Sequence, residues 1–355
     1  MENPLGQRLR DLPGPLLLTG HTGFKGTWMT FLLEHLDVPV IGYSLAPEKD
    51  SLYDRAERTG VIPELFADIR DYESLENFID LHQPSAIIHM AAQPLVLKSY
   101  ESPRETFDVN VMGTVNILDI AFKKKFVKAI IVVTIDKVYR NDNSGRAFVE
   151  TDPLEGKDPY SASKVGTEAV VAAWQQISKI SGGPIVVSVR AGNVIGGGDF
   201  AENRIIPDLI RGVIKGNPVE IRNPDSTRPW QHVLDPLHGY LLVLEKSLVG
   251  DVGTKFNFGP SDKNLSVAEI VKIGSKFFSQ TTTITKPVEF TENNLEAVIL
   301  DLDSSLSEET LGWKPIFSQE QATILTFEWW SEYLKRKMDA EILCLEEIGK
   351  FFDKL

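Results

Sequence analysis

A glycine-rich turn near the N-terminus constrains the fold of this chain more than any other feature. The turn, Gly20-His-Thr-Gly23-Phe-Lys-Gly26, follows a short apolar run and opens a helical pattern. Glycines at this spacing allow a tight turn, a close approach of the backbone to a pyrophosphate, and close packing of the helix that follows. The positive end of that helix then faces the phosphates. The alternative interpretation of the motif is an ordinary glycine-rich loop. The residues predicted to hold a dinucleotide here are Gly20, Thr22, Gly23, Phe24, Lys25 and Gly26.

Short β-branched runs alternate with amphipathic stretches through the first half of the chain. The apolar runs, which are typical of buried parallel strands, span residues 15–20, 38–43, 86–90, 129–134 and 184–190. The helical patterns span residues 24–36, 71–83 and 104–123, and a further helix is expected to begin after Asp158-Pro159. Each pattern is long enough for a right-handed crossover between parallel strands. The alternation predicts an α/β fold with a Rossmann-type doubly wound parallel sheet.

The second half of the chain is less regular. Turn signals such as Gly196-Gly-Gly-Asp199 and Asn217-Pro218 interrupt it. We expect residues 1–190 to form an NAD(P)-binding Rossmann domain, to which a later segment near residues 228–258 returns. Residues 191–355 are expected to form a smaller, mostly helical lobe that binds the substrate.

The composition excludes several classes of function. With 37 basic and 50 acidic residues, the formal net charge of -13 disfavours binding to nucleic acids and to anionic membranes. The single cysteine, Cys344, cannot form an intrachain disulfide, and the six histidines show no metal-binding spacing. No apolar stretch reaches the roughly 18 residues of a membrane span, and the N-terminus lacks the apolar run of a signal peptide. We expect a cytoplasmic protein without a metal site.

The end of the second predicted strand bears on the choice of dinucleotide. Its residues, Gly42-Tyr43-Ser44-Leu45, include no acidic side chain of the kind that usually binds the adenosine ribose. NAD is the expected cofactor, NADP stays open, and Ser44 is a candidate contact. Asp68-Ile69, after the third predicted strand, is a candidate for contact with the adenine, or else an ordinary exposed loop pair.

Two polar segments carry the candidate chemistry. In the first, Tyr160-Ser-Ala-Ser-Lys164, the tyrosine and the lysine lie one helical turn apart on one face. An ammonium beside the phenol favours phenolate and lowers the pKa of Tyr160 from about 10, which suits exchange of a proton with an alcohol. Such a pair is also common on helix surfaces, so its interpretation depends on the glycine turn upstream.

The second segment is Thr134-Ile-Asp136-Lys137-Val-Tyr139. It lies at the carboxyl end of a predicted strand, where open α/β sheets bind ligands. An acid beside a base suits the removal of water: Asp136 would protonate a leaving hydroxyl while Lys137, if burial lowers its pKa, removes a proton from the neighbouring carbon. A solvated loop pair is the alternative for these two residues.

Four strings of residues together resemble one family. They are Thr-Gly-His-Thr-Gly-Phe-Lys-Gly at residues 19–26, Asp136-Lys137, Arg190-Ala-Gly-Asn-Val-Ile-Gly-Gly-Gly-Asp199 and Ser226-Thr-Arg-Pro-Trp-Gln-His232. From about residue 13 to about residue 335 the chain resembles the CDP-glucose 4,6-dehydratases. These are extended short-chain dehydrogenases/reductases of the NAD-dependent epimerase/dehydratase superfamily. The first and last strings distinguish them from general sugar epimerases.

The resemblance implies a nucleotide-diphosphate sugar as substrate, a tightly held NAD that is recycled, and a 4-keto-6-deoxy sugar as product. Tyr160 would take the proton of the 4-hydroxyl while hydride passes from C4 to the nicotinamide. Asp136 and Lys137 would then eliminate water across C5 and C6, and the hydride would return to C6. The resemblance also implies a homodimer that forms through two helices per subunit, one of which carries Tyr160.

Further site residues follow only from the resemblance. Ala91, Ala92 and Gln93 match the loop beside the nicotinamide, where Tyr160 and Lys164 also contact the cofactor. The residues matched to the substrate are Ser99, Asn193, Arg204 and Arg228. For Asn193 the alternative is a residue of an ordinary turn, and for Arg228 it is a surface ion pair.

Ile135 is the main departure from the family pattern. The family has Ser or Thr at this position, and the hydroxyl hydrogen-bonds the reacting 4-hydroxyl beside Tyr160. If residues 134 and 135 alternate across a strand, Thr134 points to the opposite face. The loss of one such bond costs about 1 to 3 kcal/mol, or roughly ten- to a hundredfold in rate. A dinucleotide-binding scaffold with impaired catalysis is therefore one alternative function. A nucleotide-sugar 4-epimerase or ketoreductase is another, although the Asp136-Lys137 pair disfavours it.

Overall fold

A seven-stranded parallel sheet organises the computed structural model of the chain, which describes residues 5–142, 144–221, 223–250, 252–278, 283–285 and 300–355. The strands are β1 Leu16–Thr19, β2 Val40–Ser44, β3 Glu64–Phe66, β4 Ala86–His89, β5 Ala129–Val133, β6 Ile185–Ala191 and β7 Lys255–Phe258. Their spatial order is β7-β6-β5-β4-β1-β2-β3, with every pairing parallel. The order reverses between β1 and β4, and sheets of this kind bind ligands at the carboxyl ends of such strands.

Helices connect the strands and cover both faces of the sheet. The α-helices of the described residues are Gln7–Arg10, Phe24–His35, Leu52–Arg55, Tyr72–His82, Val96–Glu101, Pro103–Phe107, Gly113–Lys123, Pro159–Ser181, Ile205–Lys215, Leu234–Ser247, Val267–Phe277, Ser305–Leu311, Gln319–Ser331 and Ala340–Phe352. The tighter and wider helical turns are the 3-10 turn Asp136–Val138 and the π-helical segments Asp108–Met112 and Glu332–Arg336. Short ladders pair Asn193–Ile195 with Trp230–His232, Thr227–Arg228 with Leu265–Ser266, and Val219–Ile221 with Thr283–Thr285.

Strand side chains alternate between two hydrophobic layers, which explains why the apolar runs in the sequence are nearly continuous. One layer joins Leu17, Ile87 and Ile130 to the helices Tyr72–His82, Gly113–Lys123 and Pro159–Ser181. The other joins Leu18, Ile88 and Ile131 to the helices Phe24–His35, Leu234–Ser247 and Ala340–Phe352. The Rossmann-type α/β fold predicted from the sequence is confirmed.

The helical pattern predicted at residues 104–123 is interrupted by the π-helical segment Asp108–Met112. Asn110 lies in this segment and is buried. Its carboxamide accepts a hydrogen bond from the Gln93 N–H and donates one to Ser163 Oγ, both at 2.8 Å. The wider turn therefore places a buried amide between the loop after β4 and the helix that carries Tyr160. π-Helical turns are often found near functional sites.

The division of the chain into two domains near residue 190 stays a prediction. β7 joins the sheet beside β6, so the chain after residue 191 returns to the N-terminal half. The last helix, Ala340–Phe352, packs against helix Phe24–His35, where the rings of His35 and Phe352 stack with centroids 4.8 Å apart. The C-terminal segment thus contributes to the packing of the N-terminal half.

In the described ranges, no helix is both long enough and apolar enough to cross a membrane. The same residues include no group of three or more His, Cys, Asp or Glu side chains arranged to hold a metal ion. Cys344 is fully buried, and burial raises the pKa of its thiol. The cytoplasmic location stays a prediction.

Candidate active site

The glycine turn is packed so tightly that side chains are excluded from it. Gly20 has a φ of 74°, and a Cβ atom on it would lie 2.7 Å from the backbone nitrogen of Ala91. A Cβ on Gly26 would lie 2.1 Å from the Gly20 carbonyl oxygen. The start of helix Phe24–His35 is thereby held against the end of β4. No described side chain caps this helix, so its first N–H groups are available to a phosphate.

Sequence reasoning missed an acidic residue beside this turn. Glu64, on β3, accepts hydrogen bonds from the Tyr53 hydroxyl and the Gly60 N–H, and it pairs with His21 Nε2, each at 2.7 Å. Burial lowers the pKa of His21 in spite of this carboxylate. The His21 ring fills the space above Gly42, where a Cβ would approach it to 2.6 Å. No local motif signals Glu64, because it reaches the turn across two strand pairings.

The candidate contacts for the adenosine end of the cofactor lie at the ends of β2 and β3. The Ser44 and Thr22 hydroxyl oxygens are 2.8 Å apart, so the two side chains form one polar contact beside the glycine turn. Asp68 pairs with Arg70 at 2.6 Å, and the hydrogen bond from Arg70 holds the pKa of Asp68 below its ordinary value. Ile69 is buried. The contacts of Ser44, Asp68 and Ile69 with a cofactor stay predictions.

Helix Pro159–Ser181 presents the candidate redox residues to the sheet. The Asp158 side chain caps its first turn. Tyr160 and Lys164 lie one turn apart on its buried side. The Lys164 ammonium donates a hydrogen bond to the Val133 carbonyl oxygen at 3.1 Å, which ties the helix to the end of β5.

Burial governs the proton affinities of this pair. It raises the pKa of Tyr160, and the positive charge of Arg204 opposes the rise. Burial, assisted by the ammonium of Lys25 and opposed by Glu168, lowers the pKa of Lys164 to about 7. The prediction that Lys164 lowers the pKa of Tyr160 is therefore wrong for the protein alone, because burial disfavours the phenolate and the charge that opposes this effect belongs to Arg204.

The turn Asp136–Val138 places the candidate acid directly after β5. Asp136 is 5% exposed. Burial raises its pKa to about 6, and the positive charges of Lys137 and Arg228 oppose the rise. Gly192, just beyond β6, leaves room for the carboxylate, since a Cβ there would lie 3.3 Å from Asp136 Oδ2. A carboxyl group that keeps its proton close to neutrality is suited to general acid catalysis.

Lys25 connects the glycine turn to this acid. Burial and the charge of Arg204 lower the pKa of Lys25 to about 8, and Asp136 opposes the change. The Lys25 ammonium lies 5.9 Å from the centre of the Tyr240 ring. The side chains that act on one another electrostatically here are Lys25, Asp136, Tyr160, Lys164 and Arg204. Residues far apart in the sequence thus meet at the carboxyl edge of the sheet.

Neither residue 134 nor residue 135 offers a hydroxyl to the candidate catalytic residues Asp136 and Tyr160. Thr134 is buried, and its hydroxyl donates to Glu168 Oε1 at 2.5 Å. Ile135 is half-buried and packs against an apolar cluster that includes Phe148 and Leu302. Residue 135 therefore departs from the family pattern, and its side chain lies in apolar surroundings.

The residues matched to the nicotinamide loop lie at the end of β4. Ala91 and Ala92 are half-buried, and Gln93 is buried with its amide bonded inside the protein. Ser99, matched to the substrate, donates to a carbonyl of its own helix and accepts a hydrogen bond from the Tyr160 N–H at 3.1 Å. Gln93 and Ser99 thus support the site's backbone, and their contacts with ligands stay predictions.

The remaining substrate candidates lie beyond β6. Asn193 starts the short strand Asn193–Ile195. Arg204 donates to Asp199 at 3.0 Å, just before helix Ile205–Lys215. Arg228 is half-buried, and its charge acts on Asp136. The structure brings both arginines into the electrostatic surroundings of the candidate acid and phenol, whereas their contacts with a substrate stay predictions.

Comparison with known proteins identifies the family. A sequence model of the NAD dependent epimerase/dehydratase family matches residues 16–259. The chain belongs to this family. Its relatives include the CDP-glucose 4,6-dehydratase of Salmonella typhimurium, which is 38% identical over 348 residues and is matched over 95% of both chains. The dTDP-glucose 4,6-dehydratase of Haemophilus influenzae is 26% identical, with 89% of this chain and 97% of the relative covered.

Solved structures of other proteins share the fold. The UDP-glucose 4-epimerase of Thermotoga maritima, solved with UDP-glucose, superposes with a TM-score of 0.77 and 23% identity over 90% of this chain and 100% of that chain. The dTDP-glucose 4,6-dehydratase of Bacillus anthracis, solved with NAD, gives a TM-score of 0.75 and 21% identity over 91% and 98% of the two chains. At these identities the likeness concerns the fold alone.

Replacing Asp136 with Asn is expected to stabilise the protein at alkaline pH. The folded-state pKa of about 6 lies above the unfolded value of about 3.9, so stability falls as the pH rises between these values. At pH 8, Asp136→Asn should raise the free energy of unfolding by about 2 to 3 kcal/mol, and the gain should vanish near pH 4. Urea unfolding of both proteins across this range measures the difference. An equal gain at every pH would contradict a buried carboxyl group that retains its proton.

Proposed function

We propose that the protein is an NAD-dependent nucleotide-sugar 4,6-dehydratase, a hydro-lyase, and that CDP-glucose is its substrate. The observation that carries the proposal is the buried acid Asp136, with a pKa of about 6, next to Lys137 and in the electrostatic surroundings of Tyr160. An enzyme that only oxidises and reduces C4 expels no hydroxyl and needs no such acid. The CDP-glucose 4,6-dehydratase at 38% identity over 95% of the chain supports the choice of nucleotide and sugar.

NAD fits the crevice at the glycine turn. The absence of side chains at Gly20 and Gly26 lets the turn pack against the backbone of Ala91 and His21, and no described side chain caps the helix Phe24–His35 that the turn opens. Bound NAD supplies the acceptor and later the donor of hydride. The residues proposed to hold it are Gly20, Thr22, Gly23, Phe24, Lys25, Gly26, Ser44, Asp68, Ile69, Ala91, Ala92, Gln93, Tyr160 and Lys164.

Tyr160 is proposed as the base that takes the proton of the 4-hydroxyl. Its raised pKa keeps the phenol protonated in the protein alone, so phenolate requires positive charge close by. The positive charge of Arg204 reaches the phenol, and Lys164 lies one helical turn away on the same helix. A bound substrate would displace water from around them and so strengthen their attraction for the phenolate. Tyr160 Oη would then accept the proton as C4 is oxidised.

The Asp136-Lys137 pair is proposed to complete the elimination. Oxidation at C4 makes the hydrogen on C5 acidic, and Lys137 Nζ takes that proton while Asp136 protonates the hydroxyl that leaves C6. The transfer leaves the Lys137 ammonium beside the Asp136 carboxylate, so the products of this step are two opposite charges side by side. Hydride then returns to C6 and a proton to C5, which leaves no net redox change.

Arg204 and Arg228 are proposed to bind the diphosphate of the substrate, with Asn193 and Ser99 as its neighbours. Because the protein carries a net charge of -13, a diphosphate needs cations close to it. Guanidinium groups suit this role, since their planar donors match pairs of phosphate oxygens. Both arginines lie in the electrostatic surroundings of the candidate acid or phenol, which is the side on which the sugar must enter.

One observation favours a second candidate function. Ile135 packs on apolar side chains at the position where a hydroxyl is expected, which suits a dinucleotide-binding protein with impaired catalysis. Binding of CDP-, GDP-, UDP- or dTDP-sugars without any turnover would support that alternative. A 4-epimerase or ketoreductase is the other alternative, and it would convert the sugar without loss of water.

A homodimer is proposed from an exposed apolar patch beside helix Pro159–Ser181. The helices Val96–Glu101 and Pro103–Phe107 pack against it. The patch consists of Leu97, Tyr100, Phe107 and Met112, each between 40 and 50% exposed. Exposed apolar side chains on elements that contact one another favour an interaction site, and a second copy of the same helices would cover them.

Phe107→Glu is expected to shift the protein from dimer to monomer, because a carboxylate in an apolar interface is not compensated. Leu81→Glu is the control, since Leu81 is 76% exposed on helix Tyr72–His82, which carries none of the patch residues. Sedimentation velocity measures the mass of each protein. A monomeric parent protein, or equal masses for the two variants, would contradict this interface.

The proposed reaction is tested by incubating the purified protein with CDP-glucose and NAD. Mass spectrometry should find a product lighter by one water, about 18 Da. Lys137→Ala should stop the loss of water while oxidation at C4, followed by the absorbance of the reduced nicotinamide, continues. An intact substrate after long incubation would contradict the dehydratase, and an isomerised sugar of unchanged mass would favour the epimerase.

Ile135→Ser is expected to speed oxidation at C4 by roughly tenfold or more, because a hydroxyl at this position can hydrogen-bond the reacting 4-hydroxyl. The same change should lower the free energy of unfolding by about 1 to 3 kcal/mol, because it removes apolar packing. Ile135→Ala is the matched control, since it loses the packing and gains no hydroxyl. If both variants have the same rate, the hydroxyl has no role in this protein.

A further inference from the structure

A buried ion pair lies behind the proposed catalytic residues. Glu168 follows Lys164 by one turn on helix Pro159–Ser181 and accepts hydrogen bonds from Arg190 Nε and Nη2, both at 2.8 Å. The two side chains are 6% and 1% exposed. Taking two charges out of water costs about as much as their attraction returns, so stability alone does not account for such a pair.

The segment formed by residues 134–139, here named the elimination segment, is bonded to this ion pair at both ends. At its start, the Thr134 hydroxyl donates to Glu168 Oε1 at 2.5 Å. At its end, Arg190 Nη1 donates to the Tyr139 hydroxyl at 2.7 Å, and the guanidinium carbon lies 4.9 Å from the centre of the Tyr139 ring. The acid and the base of the proposed water loss lie between these two attachments.

Further contacts hold Tyr139 from its other side. Its hydroxyl donates to Asn257 Oδ1, on β7, at 2.7 Å. Its ring stacks on Phe148 with centroids 5.1 Å apart. The Asn257 N–H in turn donates to Glu150 at 2.8 Å. The end of the elimination segment is therefore fixed by hydrogen bonds to two different strands.

We propose that the Glu168–Arg190 pair is a positioning device that holds the elimination segment in register with Tyr160 and Lys164. This inference rests on the proposed function. Oxidation at C4 and water loss across C5 and C6 act on one bound sugar, so both sets of residues must be aligned on one substrate pose. A displacement of about 1 Å can cost about a hundredfold in rate.

Glu168 itself provides a matched comparison. Ser188 Oγ also donates to its carboxylate, at 2.9 Å, from β6 and outside the elimination segment. Thr134→Val removes a hydrogen bond that holds the elimination segment, whereas Ser188→Ala removes one that holds only the strand. Thr134→Ser keeps the hydroxyl. Tyr139→Phe releases the other end of the segment and provides a second, independent variant.

The test compares the two half-reactions in single turnovers. Thr134→Val and Tyr139→Phe should lower the rate of water loss about ten- to a hundredfold, while C4 oxidation changes less than about threefold, so that reduced nicotinamide accumulates. Ser188→Ala and Thr134→Ser should change both rates less than about threefold. Equal losses in Thr134→Val and Ser188→Ala, or a loss confined to C4 oxidation, would overturn the positioning role.

Amide hydrogen exchange keeps this role testable apart from the reaction. Thr134→Val and Tyr139→Phe should speed exchange within residues 134–139 without changing it in helix Pro159–Ser181, and Ser188→Ala should leave both unchanged. Unchanged exchange in the elimination segment of both variants would overturn the positioning role, whether or not the protein is active. A parent protein that loses no water but responds in exchange as expected would contradict only the proposed function.

Discussion

Desolvation at the carboxyl edge of the sheet is the constraint on which the candidate site depends. Burial moves Asp136 and Tyr160 toward their protonated forms and Lys164 toward its neutral form. A charge in such surroundings is costly unless another group compensates it. The pKa of about 6 for Asp136 follows from this constraint, and it places the proposed general acid close to neutrality. The proposed elimination needs this property.

The parallel sheet produces that burial by bringing separate segments to one edge. β1 ends in the glycine turn, β5 ends in the elimination segment, and helix Pro159–Ser181 covers β6. Each of these segments contributes charged or polar groups whose partners lie on another segment, as Thr134 and Arg190 do with Glu168. The groups that exchange protons are thus held by the same contacts that join the strands to the helix, so packing and proposed chemistry are linked.

Local patterns predicted the sheet, the glycine turn and the helix of Tyr160, because each is encoded within a short stretch of residues. Strand alternation also predicted that Thr134 turns away from its neighbour, and its bond to Glu168 agrees with that expectation. Glu64 and the Glu168–Arg190 pair were not found, since their partners come from other strands. The pKa of Tyr160 was predicted in the wrong direction because residue spacing reports a nearby ammonium and not the depth of burial.

The central claim is that one site oxidises C4, expels water and returns the same hydride to C6. The most direct measurement uses CDP-glucose that carries deuterium at C4, followed by nuclear magnetic resonance of the product. The expected product is a 4-keto-6-deoxy sugar with the deuterium at C6, transferred within one molecule. A product without deuterium at C6, or a sugar that keeps its deuterium at C4 and its full mass, would contradict the claim.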